Sequence, residues 1–162
     1  MDRDFVTRLF AGSLDQATKM VEPIACEDCA RLAGAKHPAW LLGHLVVGAD
    51  FASSMCGLPM EHEAMHPLFA PGTIPEADRG KYPKKAELLE LLTKAHARAS
   101  AAFEKIPDDA LAQEFPVEEY RSFFPRVGDG VVYLLAHHEP YHLGQLQQWA
   151  LATGHAPKQT SE

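Results

Sequence analysis

The apolar positions of the chain fall into four long segments of helical period. From Asp2 to about Met20, Phe5 and Leu9, and beside them Val6, Phe10 and Leu14, recur at the three- and four-residue steps of an amphipathic helix. Pro38 is well placed as the first-turn residue of a second helix that runs to Gly57. Its stripe is Trp40, His44, Val47, Phe51 and Met55. Pro83 opens a third segment that Pro107 closes, rich in the good helix formers Ala, Leu, Glu and Lys. Leu89, Leu92, His96 and Phe103 can share one of its faces. The fourth segment starts near Gly128 and ends before Gly154, with Val131, Leu135, His138, His142, Gln145 and Trp149 along one stripe. No run alternates at period two for long enough to make a convincing strand. The pattern predicts an all-α fold, an antiparallel four-helix bundle in a single domain over 1–162. The 58–82 connection is long and carries Pro59, Pro67, Pro71, Gly72, Pro75 and Gly80. Such a loop is functional, disordered, or a crossover of the bundle.

Composition narrows the classes of partner. A chain of 162 residues, 46% hydrophobic and 23% charged, fits one globular domain with a core of useful size. The net charge of −7 argues against nucleic acid or an anionic membrane, which favour basic patches. The opening MDRDFVTRLF is amphipathic without an apolar signal core, and no apolar run is long enough to span a bilayer. The cytoplasm is the expected compartment. Three cysteines make no disulfide framework, and Cys26 and Cys29 in C-E-D-C lack both a second pair for zinc and a redox-type strand–helix context.

Candidate chemistry lies with the nine histidines. "HEAMH", His62 to His66, matches H-E-x-x-H, in which two histidines one helical turn apart hold zinc and the glutamate acts as base. Pro59 precedes it and Pro67 follows it directly, so a continuous helix has little room there. The expectation is a solvated or lid-like loop; the intermediate alternative is that His62 or His66 reaches a pocket edge and meets substrate. His138 and His142 are four apart, hence stacked on one helical face, and that face is the apolar seam. His44 has the same setting on the second helix. Three convergent imidazoles could hold a divalent first-row metal and leave one position open for water or substrate. Gln145, one turn beyond His142, is placed to orient a ligand. Pro140 predicts a kink or local widening over Ala136 to Pro140. His96 is a candidate for support behind the site, His37 for capping or packing, and Gly144 for a close helix approach. The competing reading is three independent core histidines.

"HPAWLLGHL" (37–45) and "HEPYHLGQL" (138–146), with "FPRVGDGVVYLLAH" before the latter, resemble the DinB-like superfamily from about Phe5 to Trp149. The resemblance implies an up-up-down-down four-helix bundle, a homodimer, and a nickel, zinc or iron site at His44, His138 and His142. It also implies chemistry with a small-molecule thiol or electrophile, foremost thiol S-transfer. The alternatives are a metal-dependent hydrolase, a non-enzymatic metal-binding dimer, and, more remotely, proteolysis through HEAMH. Lys36 and the C-E-D-C insert depart from the family pattern. No catalytic base is identified, with Glu61, Glu63 and His66 as the candidates.

Overall fold

A computed structural model describes residues 2–34 and 36–156. Its helices are α1 (Arg3–Val21), α2 (Pro38–Met55), α3 (His66–Phe69), α4 (Lys85–Lys105), α5 (Asp108–Leu111), α6 (Val127–Tyr133) and α7 (Glu139–Thr153). One π-helical turn, Leu134–His138, joins α6 to α7, so the two read as one long helix with an extra residue wound into it. Among the described residues the extended pairing is limited to an isolated bridge between Glu114 and Arg126. None of these helices is long and apolar enough to cross a membrane.

Local chemistry sets the helix ends. Asp2 caps α1 by accepting from the Phe5 N–H, so one of the orphan donors of the first turn is satisfied. Pro38 occupies the start of α2, where a missing N–H costs nothing, and the His37 ring accepts from the Trp40 N–H at 3.1 Å. Gly154 closes α7 at φ 79°, a left-handed conformation that glycine adopts without a Cβ penalty.

The four long helices pack around a core that includes Phe10, Trp40, Leu42, Leu92, Phe103, Leu135 and Trp149. On α1 the Val6 and Phe10 row faces this core, and Phe5 and Leu9 face outward. On α4 the buried row runs through Leu88, Leu92, His96 and Phe103, with Leu89 at its margin.

The all-α four-helix bundle follows the expectation, but the order of helix directions does not. Arg3 at the start of α1 donates to the carbonyls of Phe103 and Ile106 at the end of α4, and Lys85 at the start of α4 donates to those of Val21 and Ile24. These helices are therefore antiparallel. The starts of α2 and α4 meet through His37 and Tyr82, and Asp50 late in α2 pairs with Arg98 late in α4, so α2 and α4 run parallel. Trp149 near the end of α7 donates to the Arg31 carbonyl just before α2, which makes the last helix antiparallel to α2. The sequence of directions is up-down-down-up rather than up-up-down-down. Parallel neighbours need a connection that travels the length of the bundle, and 58–82 supplies it.

Candidate metal centre

His44 projects from the middle of α2, His138 from the π-helical turn and His142 from the first turns of α7. The widened turn is the expected consequence of Pro140, which can neither donate a backbone hydrogen bond nor tolerate the carbonyl four residues earlier. The three rings converge. Each offers a nitrogen within 4.8 Å of the others, the one such group of three or more His, Cys, Asp or Glu among the described residues. The Nε2 atoms of His44 and His138 are 3.1 Å apart, and the His142 ring centroid lies 4.6 Å from that of His44 and 4.5 Å from that of His138. A tetrahedral ion with bonds of 2.0–2.1 Å holds neighbouring nitrogens roughly 3.3 Å apart, which the 3.1 Å between His44 and His138 matches.

The outward nitrogens of His44 and His142 have partners of their own. His44 Nδ1 is 2.7 Å from the Phe69 carbonyl oxygen, which can only accept, so Nδ1 carries the proton and Nε2 turns its lone pair inward. His142 Nδ1 stands 3.0 Å from Gln145 Oε1, the same arrangement with a side-chain amide. Such bonds fix ring orientation and raise ligand basicity. Burial also keeps the rings unprotonated. It pushes His138 down to about 3, helped by His142 and His44 beside it, and His142 down to about 4, helped by His44. His44 is lowered too, by burial against the opposing Phe69 hydrogen bond. Neutral imidazoles at neutral pH are what a cation requires.

Small residues on α2 make the room. A Cβ at Gly48 would lie 3.0 Å from His138 Cε1. A Cβ at Gly43 would lie 2.2 Å from Phe69 Cε1, and Phe69 is the residue whose carbonyl orients His44. Trp40 stacks on His44 with centroids 4.6 Å apart, and Lys36 Nζ sits 3.5 Å from the Trp40 centroid on the same stack. Lys36, the departure from the family pattern, is thus a cation at the edge of the site.

The remaining histidines go elsewhere. His62 and His66 share no helix: a 3-10 turn over Glu63–Met65 separates His62 from α3, which His66 opens, and neither joins the three-histidine group. The zinc-protease arrangement is therefore not formed. His37 caps α2, and its Nε2–H donates to the Glu76 carbonyl at 3.1 Å. His96 makes a buried pair with Glu139, Nε2 to Oε1 2.8 Å, directly behind His138 in the chain, and stacks on Phe10 at 3.6 Å. Burial raises the Glu139 carboxyl against the pull of His96. Among the described residues Gly144 has no neighbour within 4 Å of where a Cβ would lie, so it serves no close approach of the described helices. Cys26 and Cys29 lie in a 3-10 turn and stay outside the group. Cys29 is pushed up to about 11 by burial, while a backbone hydrogen bond at Lys85 and then Arg79 hold Cys26 below its ordinary value.

Sequence reasoning missed the part played by the 58–82 connection. Asp50, 1% exposed on an apolar helix, accepts from Arg98 at 2.9 Å and from the backbone N–H groups of Glu61 at 3.0 Å and His62 at 2.9 Å. Arg98 also donates to the Pro59 carbonyl. This anchor lays the segment along the bundle and delivers Phe69 to His44. An aspartate within the most apolar helix, with an arginine on another, was the available signal.

A groove of about 690 Å³ lined by Leu111, Phe124 and Tyr133 touches none of the three imidazoles. A smaller cavity of about 230 Å³ is lined by His44 and His138 themselves, and chemistry rather than size marks it as the site.

The model of the DinB superfamily matches residues 11–146, which include all three histidines. No curated protein and no solved structure matches the chain.

Proposed function

The chain belongs to the DinB superfamily, and from that premise we propose that it is a metal-dependent enzyme that transfers a low-molecular-weight thiol to a small electrophile. The observation that carries the metal reading is the convergence of His44, His138 and His142, with outward Nδ1–H groups engaged on two of them. A divalent nickel, zinc or iron ion held by these three rings would supply Lewis-acid chemistry, making a thiol or a water more acidic than in bulk solvent. The protein's own part is to hold neutral rings in place through Phe69 and Gln145 and to exclude water by burial. Three donors and no fourth among the described residues favour an open, reactive site over a closed structural one.

One cavity opens on the centre itself, with His44 and His138 in its wall. The 230 Å³ cavity is mainly apolar and suits a compact electrophile. Metal-dependent hydrolysis is the second reading, since the same site serves water. The pairing of two copies in the cytoplasm belongs to the proposal as well, and sedimentation tests the dimer.

Elemental analysis of the dialysed protein, with the His142→Ala variant beside it, tests the assignment. Wild type should retain nickel, zinc or iron in stoichiometric amount, and the variant should lose most of it. Unchanged metal in the variant would dispose of the three-histidine centre. Consumption of an electrophile that requires added thiol separates transfer from hydrolysis.

A further inference from the structure

The 230 Å³ cavity beside the candidate centre has a third imidazole in its wall, His66, along with His44 and His138. His66 opens α3 in the long connection. Its Nε2 is buried and has no hydrogen-bond partner among the described residues. A ring nitrogen left so costs roughly 1–3 kcal/mol, and polar atoms of this kind are commonly satisfied by a ligand, an ion or a water. The segment that carries it is held at both ends. Asp50 and Arg98 clamp Pro59 to His62, and the Phe69 carbonyl is bonded to His44. The placement of His66 is thus built into the packing.

The rest of the wall describes the occupant. Val47, Phe51, Pro71 and Leu134 contribute apolar surface, and among the described residues no Lys, Arg, Asp or Glu lines the cavity. Without a metal, such walls do not repay the desolvation of an ion. The volume is below the roughly 300–1,000 Å³ of sites that enclose a drug-sized ligand, so the occupant is small.

We infer that His66 is the hydrogen-bond donor to the oxygen of a small, uncharged, aliphatic electrophile, a ketone, aldehyde or epoxide, whose carbon body lies against Val47, Phe51 and Leu134. The inference rests on the thiol-transfer reading for the nature of the occupant, and adds the residue that holds it and the class of molecule. His66 stands outside the three-histidine group, so it contacts the occupant rather than completing the cage.

The test uses 2-pentanone as an unreactive probe and levulinate, the corresponding ketone with a carboxylate, as its charged counterpart. Both are titrated by ligand-observed NMR into metal-stripped wild type, His66→Phe and His66→Gln, with metal content and melting temperature measured on each protein before stripping. Wild type should prefer 2-pentanone. His66→Phe keeps the ring and loses the nitrogens, and should bind the probe roughly tenfold more weakly, the worth of one hydrogen bond, with metal unchanged. His66→Gln should recover most of the affinity. If His66→Phe unfolds, His66→Leu takes its place. Equal binding in wild type and His66→Phe, a preference for levulinate, or no binding at all would overturn the inference. Loss of metal from both variants would overturn it too, by making His66 a support of the cage. Absence of metal from wild type would sink the metal reading alone, because the titration on the metal-free protein still decides the role of His66.

Discussion

Replacement of Gly43 by alanine should reach the candidate centre through packing alone. A Cβ on Gly43 would meet the Phe69 ring at 2.2, 2.4 and 2.5 Å, far inside contact distance. Phe69 is 1% exposed, so the ring cannot swing into solvent. Overpacking a filled core costs about 1–3 kcal/mol, and contacts this short belong at the upper end. Alanine in place of a mid-helix glycine returns about 1 kcal/mol of helix propensity. The net loss is about 2 kcal/mol, or roughly 4–8 °C in Tm for a chain of this length. The second effect is more diagnostic. If Phe69 moves, its carbonyl leaves the 2.7 Å contact with His44 Nδ1, and loss of such a supporting bond typically weakens metal binding 10–100-fold. Thermal melts of the metal-free protein and competitive zinc titrations measure the two effects separately. Gly43→Ala combined with Phe69→Leu should restore part of the melting temperature. A Gly43→Ala protein as stable as wild type, with unchanged zinc affinity, would refute the claim that α2 and α3 are packed to set the His44 ring.

Two further outcomes follow from the same geometry. His138 and His142 have folded-state values of about 3 and about 4, below the ordinary 6.5 of the unfolded chain. Between those limits the unfolded chain binds the extra protons, so the metal-free protein should lose stability as pH falls from 6.5, and the slope between pH 6.5 and 5 should be shallower in His142→Ala. A Tm that rises on acidification over this interval would contradict it. Asp50→Ala removes the acceptor shared by Arg98, Glu61 and His62. It should cost about 3 kcal/mol, the low end for one partner of a buried pair because Arg98 keeps some solvent contact, and should expose 58–66 to limited proteolysis. Wild-type resistance to protease in that variant would show that the anchor is dispensable.

Much of the bundle was legible because helical period, proline position and capping are local properties. Apolar residues at three- and four-residue steps marked α1, α2, α4 and the last helix to within a turn or so, and Pro140 announced the widened turn at Leu134–His138. The three histidines were legible for a related reason: an imidazole on an apolar stripe is a local anomaly, and the second helix carried His44 and the last both His138 and His142. The rest depended on contacts between residues far apart in sequence. The direction of α2 relative to α4 follows from a crossover whose path no periodicity encodes. The partner of His44 is a backbone carbonyl 25 residues away, and a carbonyl has no residue type by which to be recognised. The pairing of Asp50 with Arg98 spans 48 residues.

By itself, then, the sequence determined that the chain is helical, where its long helices lie and which imidazoles face inward, since backbone sterics and burial period act over a few residues. The tertiary structure decided how the helices run, that the rings meet, and that the proline-rich connection braces one of them and brings His66 to the cavity wall. Those are distances between separate elements, and only packing sets them.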